Sequence, residues 1–440
     1  MSSATPSAKY DLTHTLSPFL DLHLMFPAMQ FLVENKVYAA ADLQRAQLEL
    51  LKTTNMVDYE MELHAAVSGG AAPPAAMTAK RDALGARIPE LEAACAPLRK
   101  LLQDDDEVLR LQEEGLFNPA ALAESTTHAI TEANIAAYQA LGKFHYDCGN
   151  YAGALEHLTP CCALFSTDEE RVYHVLWGRL AAEILSRDWD AALESVTAVQ
   201  KAIDEKPGST ELGKMQQRTW LLHWALYVFF NHPAGRDALV DFFFQQRMLE
   251  ALQVNAPHLL RYFATAFVIN KRRRNMLKDL VRVIQQLRHA YDDPVTQFLT
   301  CLYVDIDFQG AQEKLAECEA VLVSDFFLHS YRAEFMENAR MFIFETYCRI
   351  HQKIDIVTLA AKLNMAEDEA ERWIVDLVRN ARLDAKIDSQ NNHVIMGNTQ
   401  RTVHQQVIEK TKDLATRTYV LTRCLQDQAA EKKAAAGGRR

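Results

Sequence analysis

The spacing of apolar positions changes character most clearly between residues 334 and 398. Phe335, Ala339, Phe342, Thr346 and Ile350 recur at helical spacing and predict a helix from Glu334. A shorter helix follows, with Ile356, Leu359, Ala360 and Leu363 on one face and Asp355 placed as its cap. The next carries Ala370, Trp373, Ile374, Leu377 and Ala381 on one face. Then the period becomes two. Ala385 and Ile387 face one way, Ser389 to Asn392 turn the chain, and Val394 and Met396 run back. Helices followed by a short hairpin are the order of a winged helix, predicted here over 334–398.

Elsewhere strand signals are sparse and the period is helical. In an N-terminal helical segment (1–64), Leu12, Leu16, Phe19 and Leu20 begin a helix, and Leu24 and Met25 precede a break at Phe26-Pro27. Leu43, Ala46, Leu50 and Leu51 carry another helix. Ala65 to Ala79 is rich in Ala, Gly, Pro and Ser and reads as an exposed linker. From Leu84 to Leu111 the chain is helical and polar, with breaks or kinks expected at Pro89 and Pro97.

A repeat then emerges. Tyr151, Gly153, Ala154 and Leu158 correspond to Trp189, Ala191, Ala192 and Val196, and again to Phe308, Gly310, Ala311 and Leu315. An aromatic, a small pair and an aliphatic four residues on suit stacked helical pairs. The small residues would let helices approach, and the aromatic would fill the seam. The fold class expected is mainly α: helical repeats over 80–211 and 212–333, capped by the winged helix and followed by a further helix over 401–427. In that last helix Val403, Val407, Leu414, Leu421 and Leu425 form one stripe. A disordered basic tail is expected over 428–440.

Charge decides how the winged helix is read. A helix that reads DNA is normally basic, because phosphate contacts supply most of the affinity. Here Glu367, Asp368, Glu369, Glu371 and Asp376 oppose Arg372, Arg379 and Arg382, and the first turn is the most acidic part. The formal net charge of −11 also argues against a general binder of nucleic acid or anionic membrane. The module is therefore expected to glue proteins together through its hairpin edge: Lys386, Ile387, His393, Val394, Ile395 and Met396. The strongest basic patch, Lys271, Arg272, Arg273 and Arg274, is a candidate RNA contact or a solvated helix start.

Catalytic signatures are missing from the sequence. It has no His-x-His for zinc, no phosphate-binding GxxxxGK[ST] loop and no GxSxG elbow, so no enzyme activity, metal or cofactor is expected. His223 and His232 read as hydrogen-bonded structural residues, and the aromatics from Trp220 to Phe230 as core. Eight scattered cysteines without a CxxC pair suggest reduced thiols in the cytosol or nucleus. No basic region followed by an apolar core opens the chain, and the apolar run Trp220–Phe230 is too short to span a bilayer.

Helical repeats capped by a winged helix resemble the PCI fold, shared by scaffold subunits of the proteasome lid, the signalosome and initiation factor 3. Particular segments are similar to the E-type scaffold family of eukaryotic translation initiation factor 3. They are Thr54 to Tyr59, Gln217 to Trp224 running on to Phe229–Pro233, Val321 to Leu328, and Glu371 to Asp388. The likeness runs from about Tyr10 to about Leu425. It departs at the Ala65–Ala79 linker, at the basic tail, and at Ala366, where the family tends to place a capping Thr worth about 1 kcal/mol.

The resemblance implies a non-catalytic scaffold of the cytoplasm, or of cytoplasm and nucleus both. It would contact other PCI and MPN subunits of the factor and the small ribosomal subunit, with mRNA or rRNA reached through the complex and no membrane partner. Val403, Val407, Leu414, Leu421 and Leu425 would then enter a shared helical bundle. A proteasome-lid or signalosome scaffold, or a winged-helix nucleic-acid binder, is the alternative.

Overall fold

The small-residue repeat proves to be a device for starting helices. In each copy the aromatic is the first residue of a helix: Tyr151–Leu164, Trp189–Glu205 and Phe308–Ser324. The residue before it caps that helix. Asn150 Oδ1 accepts from the Gly153 amide (3.0 Å), Asp188 Oδ1 from the Ala191 amide (3.3 Å), and Asp307 Oδ1 from the Gln309 amide (3.1 Å). A side chain at the third helical position must clear the cap. A Cβ on Gly153 would sit 2.7 Å from Asn150 Nδ2, and one on Gly310 2.5 Å from Asp307 Oδ2. The next residue, Ala154, Ala192 or Ala311, is fully buried, and the aliphatic four residues further on is buried too. The aromatic is only half-buried, so it fills the seam only in part: Tyr151 meets the rings of His23 and Tyr146 at 5.9 and 5.7 Å.

The structure, a computed structural model, describes residues 10–68, 74–124, 130–165, 169–206, 208–270, 276–351, 353–356, 371–372, 374–375, 385–388, 393–396 and 403–437. Chain contacts divide it into two compact units, 1–343 and 344–440. In the first, successive helices pack on their neighbours from Ala75–Leu102 through Glu132–Asp147, Tyr151–Leu164, Glu169–Ser186, Trp189–Glu205 and Glu211–Asn231. Later in the same unit Leu260–Ile269 packs on Pro294–Thr300, and that helix on Phe308–Ser324. This is a helical solenoid, and the winged helix follows it.

The chain does not break at Pro27, Pro89 or Pro97. Helix Leu22–Glu34 runs through Pro27, and helix Ala75–Leu102 through Pro89 and Pro97. Each proline forfeits one backbone hydrogen bond. Burial of Leu24, Met25, Ala28, Met29 and Leu32 outweighs that loss in the first helix. The linker is also shorter than read. Helix Val57–Val67 enters the Ala65–Ala79 stretch from one side and Ala75–Leu102 from the other, because alanine is the best helix former. Only 69–73 of that stretch lies outside the described residues.

The N-terminal segment is not separate from the repeats. Trp224 Nε1 donates to the Phe19 carbonyl (3.0 Å), and Tyr227 OH to that of Leu24 (2.7 Å). Phe31 meets Phe326 edge-on at 5.6 Å. In the third helix of this region, Ala40–Thr53, the buried stripe is Leu43, Gln47 and Leu51; Ala46 and Leu50 flank it.

The helix predicted from Glu334 spans Arg332–Ile350. Phe335, Ala339, Phe342 and Thr346 are buried as expected, whereas Ile350 in its last turn is exposed. Asn338 Nδ2 donates to the Ile269 carbonyl (3.1 Å), so the front of this helix belongs to the solenoid. From the faces predicted for the next two helices, Ile356 and Ile374 are described, and both are buried. Leu359, Ala360, Leu363, Ala366, Ala370, Trp373, Leu377 and Ala381 lie outside the described residues.

Candidate protein-interaction site

The hairpin does not stand alone. A short strand missed in the sequence, β1 (Lys353–Asp355), joins β2 (Ala385–Asp388) and β3 (His393–Met396) in an antiparallel sheet of order β1-β3-β2. Ile354 opposes Val394 on one side of β3, and Ile387 opposes it on the other. Val394 and Ile354 are buried. Asp355, expected only as a helix cap, is also the last residue of β1 and pairs with His393; His393 Nδ1 lies 4.0 Å from its Oδ1.

This corrects the interface assignment. His393, Val394, Ile395 and Met396 form the central strand; the first three are paired with both neighbours and Met396 with Ala385 of β2, so this strand is not an edge. Of the residues assigned to the edge, Lys386 and Ile387 remain on an outer strand among the described residues. Three residues between helical patterns are too few to show a period of two, which is why β1 was not legible.

The C-terminal helix spans Val403–Gly437, well past the expected 401–427 and into the stretch read as a disordered tail. Ala-, Glu- and Lys-rich sequence carries it on. Val403, Val407, Leu414, Leu421 and Leu425 each expose more than half of their surface. Thr411, Thr418 and Thr422 satisfy their own hydroxyls on carbonyls four residues back, those of Val407, Leu414 and Thr418. Ile408 and Tyr419 are exposed too, and at about 100° per residue they fall roughly a third of a turn from the main stripe. The helix therefore offers apolar side chains on more than one face.

Lys271, Arg272, Arg273 and Arg274 lie outside the described residues. Arg218, the cation nearest the aromatic run, is buried, and its Nη2 donates to Asp204 Oδ1 at 2.6 Å. That run is core except at its start: Trp220 is exposed and Trp224 half-buried, while the other residues from Leu221 to Phe230 are buried. His223 is buried in it. Its Nδ1 lies 2.7 Å from the Thr219 carbonyl and must carry the proton. Its Nε2, 2.9 Å from His258 Nε2, is then the acceptor, and Phe19 stacks on the ring at 4.3 Å. Burial lowers His223 to about 3 and His258 to about 4. His232 pairs with Asp190 at 2.8 Å.

Sequence reading missed a deeply buried charge cluster. The Arg261 guanidinium reaches Asp293 Oδ1 (2.6 Å), Asp325 Oδ2 (3.2 Å) and the Tyr10 carbonyl (2.7 Å). Asp325 also accepts from Tyr262 OH (2.9 Å) and the Phe327 amide (3.0 Å). Burial pushes the Asp325 carboxyl up, and Arg261 and those donors pull it back toward the ionised form. The signal was present: Ser324-Asp-Phe-Phe327 is the centre of a segment that carried the family resemblance. Another, Thr54 to Tyr59, is likewise structural, since Lys80 Nζ donates to the Thr54 carbonyl (2.6 Å) and the Asn55 amide to that of Asp147 (3.2 Å).

All eight cysteines are free. Among the described residues no group of His, Cys, Asp and Glu could hold a metal ion, and no helix is long and apolar enough to cross a membrane.

Three family models match this chain. Residues 11–145 match the eIF3 subunit 6 N terminal domain and 315–398 the PCI domain. Residues 402–422 match the C-terminal model of the E subunit of eukaryotic translation initiation factor 3. A protein of Arabidopsis thaliana, named as the E subunit of that factor, is 46% identical over 423 residues, 94% of this chain and 95% of its own length. Proteins of the same name from Culex quinquefasciatus and Anopheles gambiae are 44% and 43% identical. They cover 94% and 98% of this chain, and 95% and 98% of their own lengths.

Proposed function

Since this chain belongs to the E-subunit family of eukaryotic translation initiation factor 3, we propose that it is a non-catalytic scaffold of that factor, working in the cytoplasm. The observation that carries the reading is the C-terminal helix. An apolar stripe left in water over so many turns is costly to keep unless a partner covers it, and covering its five side chains would contribute on the order of 5–10 kcal/mol before ordering costs. Apolar groups on a second face favour the interior of a helical bundle over a single docking groove. The occupants would be helices of sister subunits.

The sheet supplies the other contact. Its outer strand β2 would pair with a strand of a neighbouring PCI protein of the factor. Adjacent residues of a strand direct their backbone groups to opposite sides. Of Lys386→Pro and Ile387→Pro, one variant therefore loses a donor to β3 and the other loses only the outward donor. The outward variant should keep the fold and release the neighbour. Assembly at wild-type stoichiometry would remove β2 from the interface.

Reconstitution with sister PCI and MPN subunits tests the main reading. Leu414→Asp combined with Leu421→Asp should abolish incorporation into the factor, and with it recruitment to the small ribosomal subunit; full incorporation would overturn it. The Lys271–Arg274 segment would add RNA contact within the complex. Reversing charge at Arg272 and Arg273 should flatten the salt dependence of small-subunit binding, and an unchanged slope would assign the patch to solvent.

A further inference from the structure

Within the first unit a groove of about 670 Å³ opens between the N-terminal helices and the repeats. Aromatic rings line it, among them Phe26, Tyr59, Trp189 and Phe326. Neither Trp189 Nε1 nor Tyr59 OH has a hydrogen-bond partner among the described residues, and Tyr59 is 39% exposed. The groove therefore brings together aromatic side chains and two ring donors that no described protein group takes. Its lining carries two opposite charges: Arg187, and Glu34, which accepts from Gln30 Nε2 at 3.0 Å.

Arg187 is unusual in its backbone. It closes helix Glu169–Ser186 in the left-handed conformation, φ +62°, with its amide on the Ile184 carbonyl and the Asp188 amide on that of Glu183. Glycine is the residue that fits this position without cost. An arginine occupies it here, as Lys36 and Ile306 occupy two other left-handed positions, and Arg187 alone of the three lines the groove.

We propose that this groove binds an extended proline-rich segment of a partner protein, with an acidic residue of that segment on Arg187. The polyproline helix makes no hydrogen bonds of its own, so its carbonyls are free to accept from Trp189 and Tyr59 while its rings lie on the aromatic faces. It also comes pre-ordered, which suits a shallow open site that cannot repay the ordering of a flexible chain. Single-stranded RNA would use the same rings, but it would need a basic groove, and Arg187 is balanced here by Glu34.

The test uses the full chain and fluorescein-labelled peptides followed by anisotropy: decaproline, and decaproline with one glutamate at either end. All three should bind saturably, with one glutamate peptide the tightest. Trp189→Phe and Tyr59→Phe remove a ring donor while keeping an aromatic, and each should weaken every peptide by about tenfold. Arg187→Gly should raise the melting temperature by relieving the strained backbone and should erase only the glutamate preference. Absent saturation, or affinity untouched by both aromatic variants, would overturn the groove as a peptide site. A glutamate preference that survives Arg187→Gly would overturn the role of Arg187. Labelled oligouridine binding as tightly as decaproline, with the same sensitivity to Trp189→Phe, would make the groove a base-stacking site instead.

Discussion

Helices Leu260–Ile269 and Val403–Gly437 hold their apolar residues in opposite ways. Every residue of the first is buried, charged Arg261 included. In the second, every side chain described is exposed, leucines and valines included. A ten-residue helix is too short to persist in water, so the first exists because its surroundings hold it. The second has its length of 35 residues to support it locally, with an alanine-rich stretch only from Ala429 on. One helix is a product of the fold, and the other is a helix waiting for a neighbour. Stability of the isolated chain should therefore report on the first and be nearly blind to the second.

The sharpest way to break this contrast is Arg261→Ala. It would strand Asp293 and Asp325 in the core without their cation and remove the guanidinium donor from the Tyr10 carbonyl. A loss of about 3–5 kcal/mol is expected in chemical denaturation. A loss below about 1 kcal/mol would mean that this helix is not held by its buried charges.

The His223–His258 pair probes the same core by pH. Both are held neutral, with values lowered by burial to about 3 and about 4 against an ordinary 6.5. The unfolded chain therefore binds protons below pH 6.5 that the folded chain refuses. Stability is complete above that pH and should fall as pH drops toward 4, by about 1.4 kcal/mol per pH unit for each histidine. Replacing both by Gln should flatten that slope in denaturation curves measured from pH 7 to 4. An unchanged slope would place the titration elsewhere.

Helix caps lie between the extremes, since they are local devices inside the packed unit. Asn150→Ala and Asp188→Ala should each cost about 1 kcal/mol, measurable as a shift in melting temperature, while caps of no consequence would leave it unmoved. These caps also show what a sequence discloses. The repeat was legible because the same local requirement recurs: a capping side chain, a small residue that clears it, and a buried alanine. Its purpose was legible only in part, because an aromatic at a helix start looks the same whether it fills a seam or lies half-open. The prolines misled for the opposite reason. A proline's cost is visible locally, whereas the burial that outweighs it at Pro27 depends on partners distant in the chain. Strand β1 and the Arg261 cluster were illegible on the same ground, since each takes its meaning from residues far away: β1 from β3, Arg261 from Asp293, Asp325 and Tyr10. The stripe Val403, Val407, Leu414, Leu421 and Leu425 was legible because its spacing is local, whereas the second apolar face at Ile408 and Tyr419 and the run of the helix to Gly437 were not read.

The smallest effect on stability is expected for that stripe, and it is the most telling. Leu414→Asp and Leu421→Asp replace side chains that already face water. In the isolated chain each should change the unfolding free energy by no more than about 0.5 kcal/mol. Hydrogen exchange sharpens the point. Amides of 260–269 should exchange only on global unfolding, because every residue there is enclosed. Amides of 403–425 should exchange by local fraying, with no packed side chain to oppose it, and should become protected once sister subunits are added. Strong protection of 403–425 in the isolated chain would mean that the stripe is buried against its own chain in solution. The substitutions would then cost stability directly, and the distinction between a helix held by the fold and a helix held for a partner would fail.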